Sequence, residues 1–333
     1  MIVKISELKR ILTDIYNITK NRYSTAVFQA EMTPTGLIAE AAGSVQYRAV
    51  LAGKTGEASS PAIYRVDNAY EILPDSGEAQ IHKIPEGLRV TVNNLVLVIS
   101  SDVLGSVEPI QKRIGGQQIT IPAHTISATD KLAAITTFNR IYKKNYPILC
   151  DGRTVRVQYP SVWVIYDAPG LKGVLSPTCA TILAKFLKTA ENPQITESKN
   201  ALFVTQEDTE LVVPITEYPE PLVVEQLLGS VEFSVTADVS NLRTLTKTLV
   251  RILKYAGDIA CYITEDEISI SINTPNITLN THTTGRILHQ FTTKVEFLST
   301  ILALVPDTVT LMRRKDGTTC IKGPEILVLL SRS

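Results

Sequence analysis

The sequence predicts an α+β fold of three tandem units, each a doubled helix-plus-strands motif, and three observations predict it. The chain has 333 residues, more than one hydrophobic core comfortably serves, and three units of about 111 residues each suit small domains. Its apolar fraction is 44% with only 6% aromatic residues, and Ile, Val, Leu and Thr carry the strand-forming content of a sheet-rich interior. The same order of features also recurs three times along the chain.

Taken in order, each unit opens with a helix pattern, Leu and Ile at three- and four-residue spacing over residues 6–18, 128–142 and 238–255. Ile5, Leu8, Leu12 and Ile15 form the apolar face of the first, and Leu242, Leu245, Leu249 and Ile252 that of the third. A strand pair follows, with turns centred near Gly36, Gly152 and Asp266, spaced by 116 and 114 residues. A second helix is expected over 65–73, 177–190 and 292–305, the middle one opening on Ser176-Pro177. A second strand pair then turns at Pro85-Glu86-Gly87, Ser198-Lys199-Asn200 and Lys315-Asp316-Gly317, again spaced by 113 and 117 residues. Polar, Gly- and Pro-containing stretches at 111–118 and 219–230 mark the boundaries, so the units are 1–114, 115–225 and 226–333.

Charge follows the same period. The whole chain is formally neutral, yet the windows 4–22, 128–144 and 238–254 together hold 13 Lys or Arg against 4 Asp or Glu, a net of +9. Arg243, Lys247, Arg251 and Lys254 step by four, four and three, which places them on one helical face. Lys9, Arg10, Lys20 and Arg22 in the first window, and Lys131, Arg140, Lys143 and Lys144 in the second, are more loosely arranged. One basic helix is ordinarily just a solvated face; three equivalent ones in a neutral chain point to a repeated positive surface for phosphate contacts without base readout.

No phosphate-binding glycine loop, dinucleotide fingerprint, zinc-protease motif or nucleophile elbow occurs, so catalysis and a bound cofactor are not expected. His82, His124, His282 and His289 are scattered, and Cys150, Cys179, Cys261 and Cys320 form no metal or disulfide spacing. With no signal-peptide or membrane-anchor pattern at the start, a cytoplasmic location is expected, that of the host cell if the source is viral.

Residues 173–221, 231–272, 291–317 and the terminal EILVLLSRS resemble the bacterial-type DNA sliding clamps, the processivity factors of replicative polymerases, and the likeness runs along essentially the whole chain. The first unit is the weakest match. The resemblance implies three DNA-clamp domains with helices inside and antiparallel sheet outside, and a head-to-tail homodimeric ring around double-stranded DNA. In that ring the edge at 95–99, with Val96 and Val98, would meet the helix end at Ile252 and Leu253, residues that ordinary core packing accounts for equally. It also implies a groove that takes short peptide motifs of the DNA polymerase and the clamp loader, at Val162, Trp163, Pro219, Val223, Val224, Val328, Leu329 and Leu330. Trp163 serves equally as core. Two departures stand out: Tyr159-Pro160-Ser161 where a basic, Gly-containing segment precedes the groove in the family, and Leu329-Leu330-Ser331 in place of a terminal Met-Pro-Met. With the compact length they point to a bacteriophage source. On the residues alone, a clamp-like monomeric adaptor or transcription accessory, and a structural viral assembly component, remain open.

Overall fold

The computed structural model of the protein describes residues 1–19, 26–53, 58–102, 107, 117–120, 145–159, 162–168, 170–189, 193–198, 200–216, 219–251, 254, 257–265, 268–273, 278–281 and 286–330. The chain divides into two compact units, Met1–Ala123 with Ile182–Thr216, and His124–Thr181 with Glu217–Ser333.

The first unit holds two antiparallel sheets. One has four strands in the order β1 (Ile2–Lys4), β6 (Glu78–Ile84), β7 (Gly87–Val92), β8 (Leu95–Ser100). The other has eight: β5 (Ala62–Arg65), β2 (Val27–Thr33), β3 (Gly36–Ala42), β4 (Gln46–Ala52), β16 (Thr209–Pro214), β15 (Ala201–Gln206), β14 (Gln194–Ser198), β9 (Gln117–Thr120). Alternation makes these strands. β2 and β4 bury every second residue, among them Phe28, Ala30 and Met32 on β2 and Tyr47, Ala49 and Leu51 on β4. Helix α1 (Ile5–Thr19) lays Ile5, Leu8, Ile11, Leu12, Ile15 and Ile18 on this core, a stripe at three- and four-residue spacing.

The second unit repeats that pair of sheets. Its eight-stranded sheet runs β13 (Lys172–Leu175), β10 (Ile148–Asp151), β11 (Thr154–Tyr159), β12 (Val162–Asp167), β24 (Ile326–Leu330), β23 (Thr319–Lys322), β22 (Thr308–Arg314), β17 (Val231–Asp238). Its four-stranded sheet runs β20 (Thr278–Asn280), β19 (Ile268–Asn273), β18 (Asp258–Ile263), β21 (His289–Lys294). Helix α5 (Ser240–Arg251) packs against α6 (Val295–Leu304), whose Val295, Phe297, Leu298, Ile301 and Leu302 are buried. The remaining helices are α2 (Ala69–Ile72), α3 (Pro177–Thr189) and α4 (Val224–Leu228).

Connectivity repeats every eight strands. In each octet the first strand joins the last three, as β1-β6-β7-β8, β9-β14-β15-β16 and β17-β22-β23-β24. The second to fifth form the companion half-sheet, as β5-β2-β3-β4, β13-β10-β11-β12 and β21-β18-β19-β20. Half-sheets of successive octets then fuse edge to edge, through β4 with β16 and through β12 with β24.

Several expected boundaries move. The helix expected over 65–73 is a single turn: Arg65 ends β5, Asp67 takes a left-handed φ of 40°, and Leu73 is extended because Pro74 follows it. Residues 292–294 belong to β21 rather than to a helix, since they pair with β18. The helix expected from residue 238 begins at Ser240, where Asp238 Oδ1 accepts hydrogen bonds from the Ser240 N–H at 2.8 Å and hydroxyl at 2.6 Å. The stretch 219–230, read as a boundary, contains α4, and the stretch 111–118 runs into β9. The helix expected over 128–142 and the turn at Asp266 lie outside the described residues.

Candidate nucleic-acid and partner interfaces

The basic residues of the first helices divide into two kinds. Lys9 is only 28% exposed and its Nζ donates to the Leu73 carbonyl at 2.9 Å and to Asp75 Oδ1 at 2.6 Å. That hydrogen bond, with the lysine charge, holds the Asp75 carboxyl below its ordinary value. Arg243 does the same at the other end of the chain. Its guanidinium donates to the carbonyls of Leu302 at 2.5 Å and Val305 at 2.8 Å, and pairs with Asp307. In both repeats a cation early in the first helix therefore satisfies carbonyls at the C-terminal end of the second, where the helix dipole favours positive charge.

Arg10, Lys247, Arg251 and Lys254 are exposed. Lys247 and Arg251 line a cleft of about 520 Å³ between α5 and α6, together with Glu296, Ser299 and Thr300. Lys20, Arg22, Lys131, Arg140, Lys143 and Lys144 lie outside the described residues. α1 also carries an acid: Asp14 Oδ2 accepts from the Tyr47 hydroxyl at 3.2 Å. Burial raises Asp14 to about 6, against the opposing pull of that hydrogen bond and of the Arg10 charge.

The eight predicted groove residues fall on two faces of one sheet and on the segment leading into α4 beside it. β12 and β24 pair with Trp163 opposite Leu329, Val162 opposite Leu330 and Val164 opposite Val328. Because side chains alternate, Trp163 and Leu329 share one face, and Val162, Val328 and Leu330 share the other, where they are buried. On the first face Ile165, Met312, Cys320, Leu327 and Leu329 form a buried cluster, and Trp163, Leu222, Val224, Leu227 and Leu228 pack against it. Residues 219–230 are thus a strap that crosses the sheet, with Val223 turned outward and 46% exposed.

A polar anchor holds the strap. The Asp151 carboxylate, in a residue 8% exposed, accepts from the N–H groups of Arg153 at 2.9 Å, Thr154 at 2.7 Å and Leu222 at 3.0 Å. It also accepts from the Thr154 hydroxyl at 2.9 Å and from Arg156 at 3.0 Å. Burial pushes its pKa up, but the donors from Thr154, Arg153 and Leu222 outweigh that and hold it below the ordinary value. The other fork of Arg156 donates to the Glu220 carbonyl at 3.0 Å. Gly152, at φ +92°, permits the tight turn that gathers these groups. Sequence reading missed Asp151, Arg156, Leu222, Leu227 and Leu228; the Asp-Gly turn and the apolar run in LVVEQLL were the signals available for them.

Of the six half-sheet edges equivalent by repeat to those that fuse, only β8 and β20 carry no pairing strand on that side among the described residues. On β8, Val96 and Val98 are 57% and 41% exposed, while Ile252 and Leu253 lie outside the described residues. No group of three or more His, Cys, Asp or Glu among the described residues could hold a metal ion, and no helix there is long and apolar enough to cross a membrane.

No family model and no curated protein matches the sequence. Solved structures do match in fold. The Helicobacter pylori beta clamp in complex with 3,4-difluorobenzamide has a TM-score of 0.76 at 11% identity, covering 99% of both chains. The DNA polymerase III subunit beta from Pseudomonas aeruginosa has a TM-score of 0.76 at 13% identity, again over 99% of both. The Helicobacter pylori beta clamp bound to a DNA ligase peptide has a TM-score of 0.74 at 11% identity, over 99% of this chain and 98% of that one. The fold is that of a DNA sliding clamp. Within that class it is the bacterial beta-clamp fold, matched over nearly the whole chain.

Proposed function

We propose that this protein is a non-catalytic DNA sliding clamp, closing as a head-to-tail homodimer around duplex DNA and tethering a replicative polymerase. We take the domains as 1–114, 115–225 and 226–333. The observation that carries the reading is the pattern of fused and unfused half-sheets. Within the chain, the equivalents of β8 are β16 and β24, and the equivalents of β20 are β4 and β12. Each of those pairs across a seam, β16 with β4 and β24 with β12. The same rule applied to what is left pairs β8 of one copy with β20 of another. Two copies then close a ring of six seams, a heterologous contact that terminates.

Exposed Arg10, Lys247, Arg251 and Lys254 suit loose phosphate contacts that exchange as the ring moves. Partner peptides would dock beside Trp163, Pro219, Val223 and Leu329; the Helicobacter pylori beta clamp, of the same fold, is bound to a DNA ligase peptide. Tethering a polymerase there raises its local concentration at the primer end.

Negative-stain electron microscopy of the purified protein at high concentration tests the reading. Six-lobed particles with a hole wide enough for duplex DNA are expected. Compact or elongated particles without a hole would remove the encircling mechanism and leave the monomeric adaptor.

A further inference from the structure

We propose that Asp151 and Arg156 are positioning residues, a latch that fixes the register of the strap over Trp163 and so shapes the wall of the partner groove. The inference rests on the partner-peptide reading above and deepens it.

The strap has little of its own to decide how it lies. α4 spans five residues, none fully buried, and its N-cap Val223 makes no side-chain capping bond. A helix that short does not hold itself. Its leading run, Leu222-Val223-Val224, is apolar throughout, so a slide of one residue would still present an aliphatic side chain to Trp163 and Leu329. Hydrophobic contact is not directional and does not choose between those registers.

The latch is directional. Asp151 reaches 71 residues along the chain to the Leu222 N–H, and Arg156 grips the Glu220 carbonyl two residues earlier. Those two bonds bracket Pro221, which has no N–H to offer as a substitute. With them made, Leu222 and Val224 face the sheet and Val223 faces out. At its far end the strap is tied by the Lys315 N–H, which donates to the Ser230 carbonyl at 3.1 Å. The Arg153 and Thr154 N–H groups, the Thr154 hydroxyl and Arg156 hold the Asp151 carboxylate in place independently of the strap, so the acceptor offered to Leu222 is fixed in position.

Trp163 is the single tryptophan of the chain, so its fluorescence reports the strap directly. Two variants separate positioning from mere folding. In Arg156→Lys a cation remains near Asp151, but an ammonium lacks the planar fork that spans both acceptors. Thermal unfolding should stay near that of the parent, while Trp163 emission shifts to the red and acrylamide quenches it more strongly. Affinity for the DNA ligase peptide seen on the Helicobacter pylori clamp should fall about tenfold. Asp151→Asn should do the same with an added loss of stability, and Arg156→Lys carries the test if that variant does not fold. Parental emission and quenching in the folded variants would overturn the latch. If the parent protein takes no peptide, the partner-groove reading falls, and the latch is judged on the Trp163 signal alone.

Discussion

Asp14 shows how one side chain can set the pH response of a seam. Its carboxyl lies under Tyr47, whose hydroxyl also bonds Thr209, the residue of β16 that pairs with Ala49 on β4. Burial favours the protonated acid, raising it from 3.8 to about 6. The folded state therefore holds a proton that the unfolded chain has already released, so stability falls as pH rises from about 4 to about 6 and stays lowered above that. Ionised Asp14 costs up to about 3 kcal/mol. Asp14→Asn keeps an acceptor for Tyr47 and removes the charge. Urea unfolding should find the variant more stable than the parent near neutral pH and little changed near pH 4, with the intervening slope flattened.

The helices illustrate why a periodic charge stripe is not a single functional unit. Arg243, Lys247 and Arg251 share one face of α5 by spacing, but Arg243 reaches the end of α6 and is taken up by its carbonyls. Arg243→Met should cost about 1–3 kcal/mol of stability, because it leaves partly buried carbonyls without their donor. The double variant Lys247→Glu, Arg251→Glu touches exposed positions and should move stability by less than about 1 kcal/mol. Its primer-extension processivity should nonetheless drop, most clearly at low salt, and depend less on salt than the parent's. Equal processivity in that variant and the parent would show that the cleft between α5 and α6 does not meet DNA. Deleting 329–333 would be a poor probe of the groove, since Leu329 and Leu330 are buried parts of β24.

At the scale of the molecule, closure of the proposed ring would depend on two half-sheets finding each other in a second copy. β8 exposes Val96 and Val98 at an edge that pairs with no strand among the described residues, and such an edge favours strand addition. Val96→Lys with Val98→Lys places charge on that edge without touching a buried residue. Sedimentation should then give a folded monomer where the parent gives a dimer, and DNA-dependent stimulation of a polymerase should be lost. A dimer persisting in the double variant would move the interface away from β8. The neutral total charge fits a ring only because the charges are segregated, and segregation is visible in the sequence while their use is not.

The repeat, the α+β class and most element positions were legible in the residues alone. Each of those follows from local periodicity: the stripe of α1, the alternation of β2 and β4, the recurring turns near Gly36 and Gly152. The residues of the last two units also carried enough of the clamp pattern to imply the fold. Packing of the whole chain settled the rest: which half-sheets fuse, which face of β12 and β24 the strap covers, and which cations are already engaged. Those facts join residues far apart in the chain, Lys9 with Asp75, Arg243 with Asp307, Asp151 with Leu222. Spacing records what lies within a few turns of a residue, whereas the partner of a charge or of a strand edge is set by how the whole chain packs.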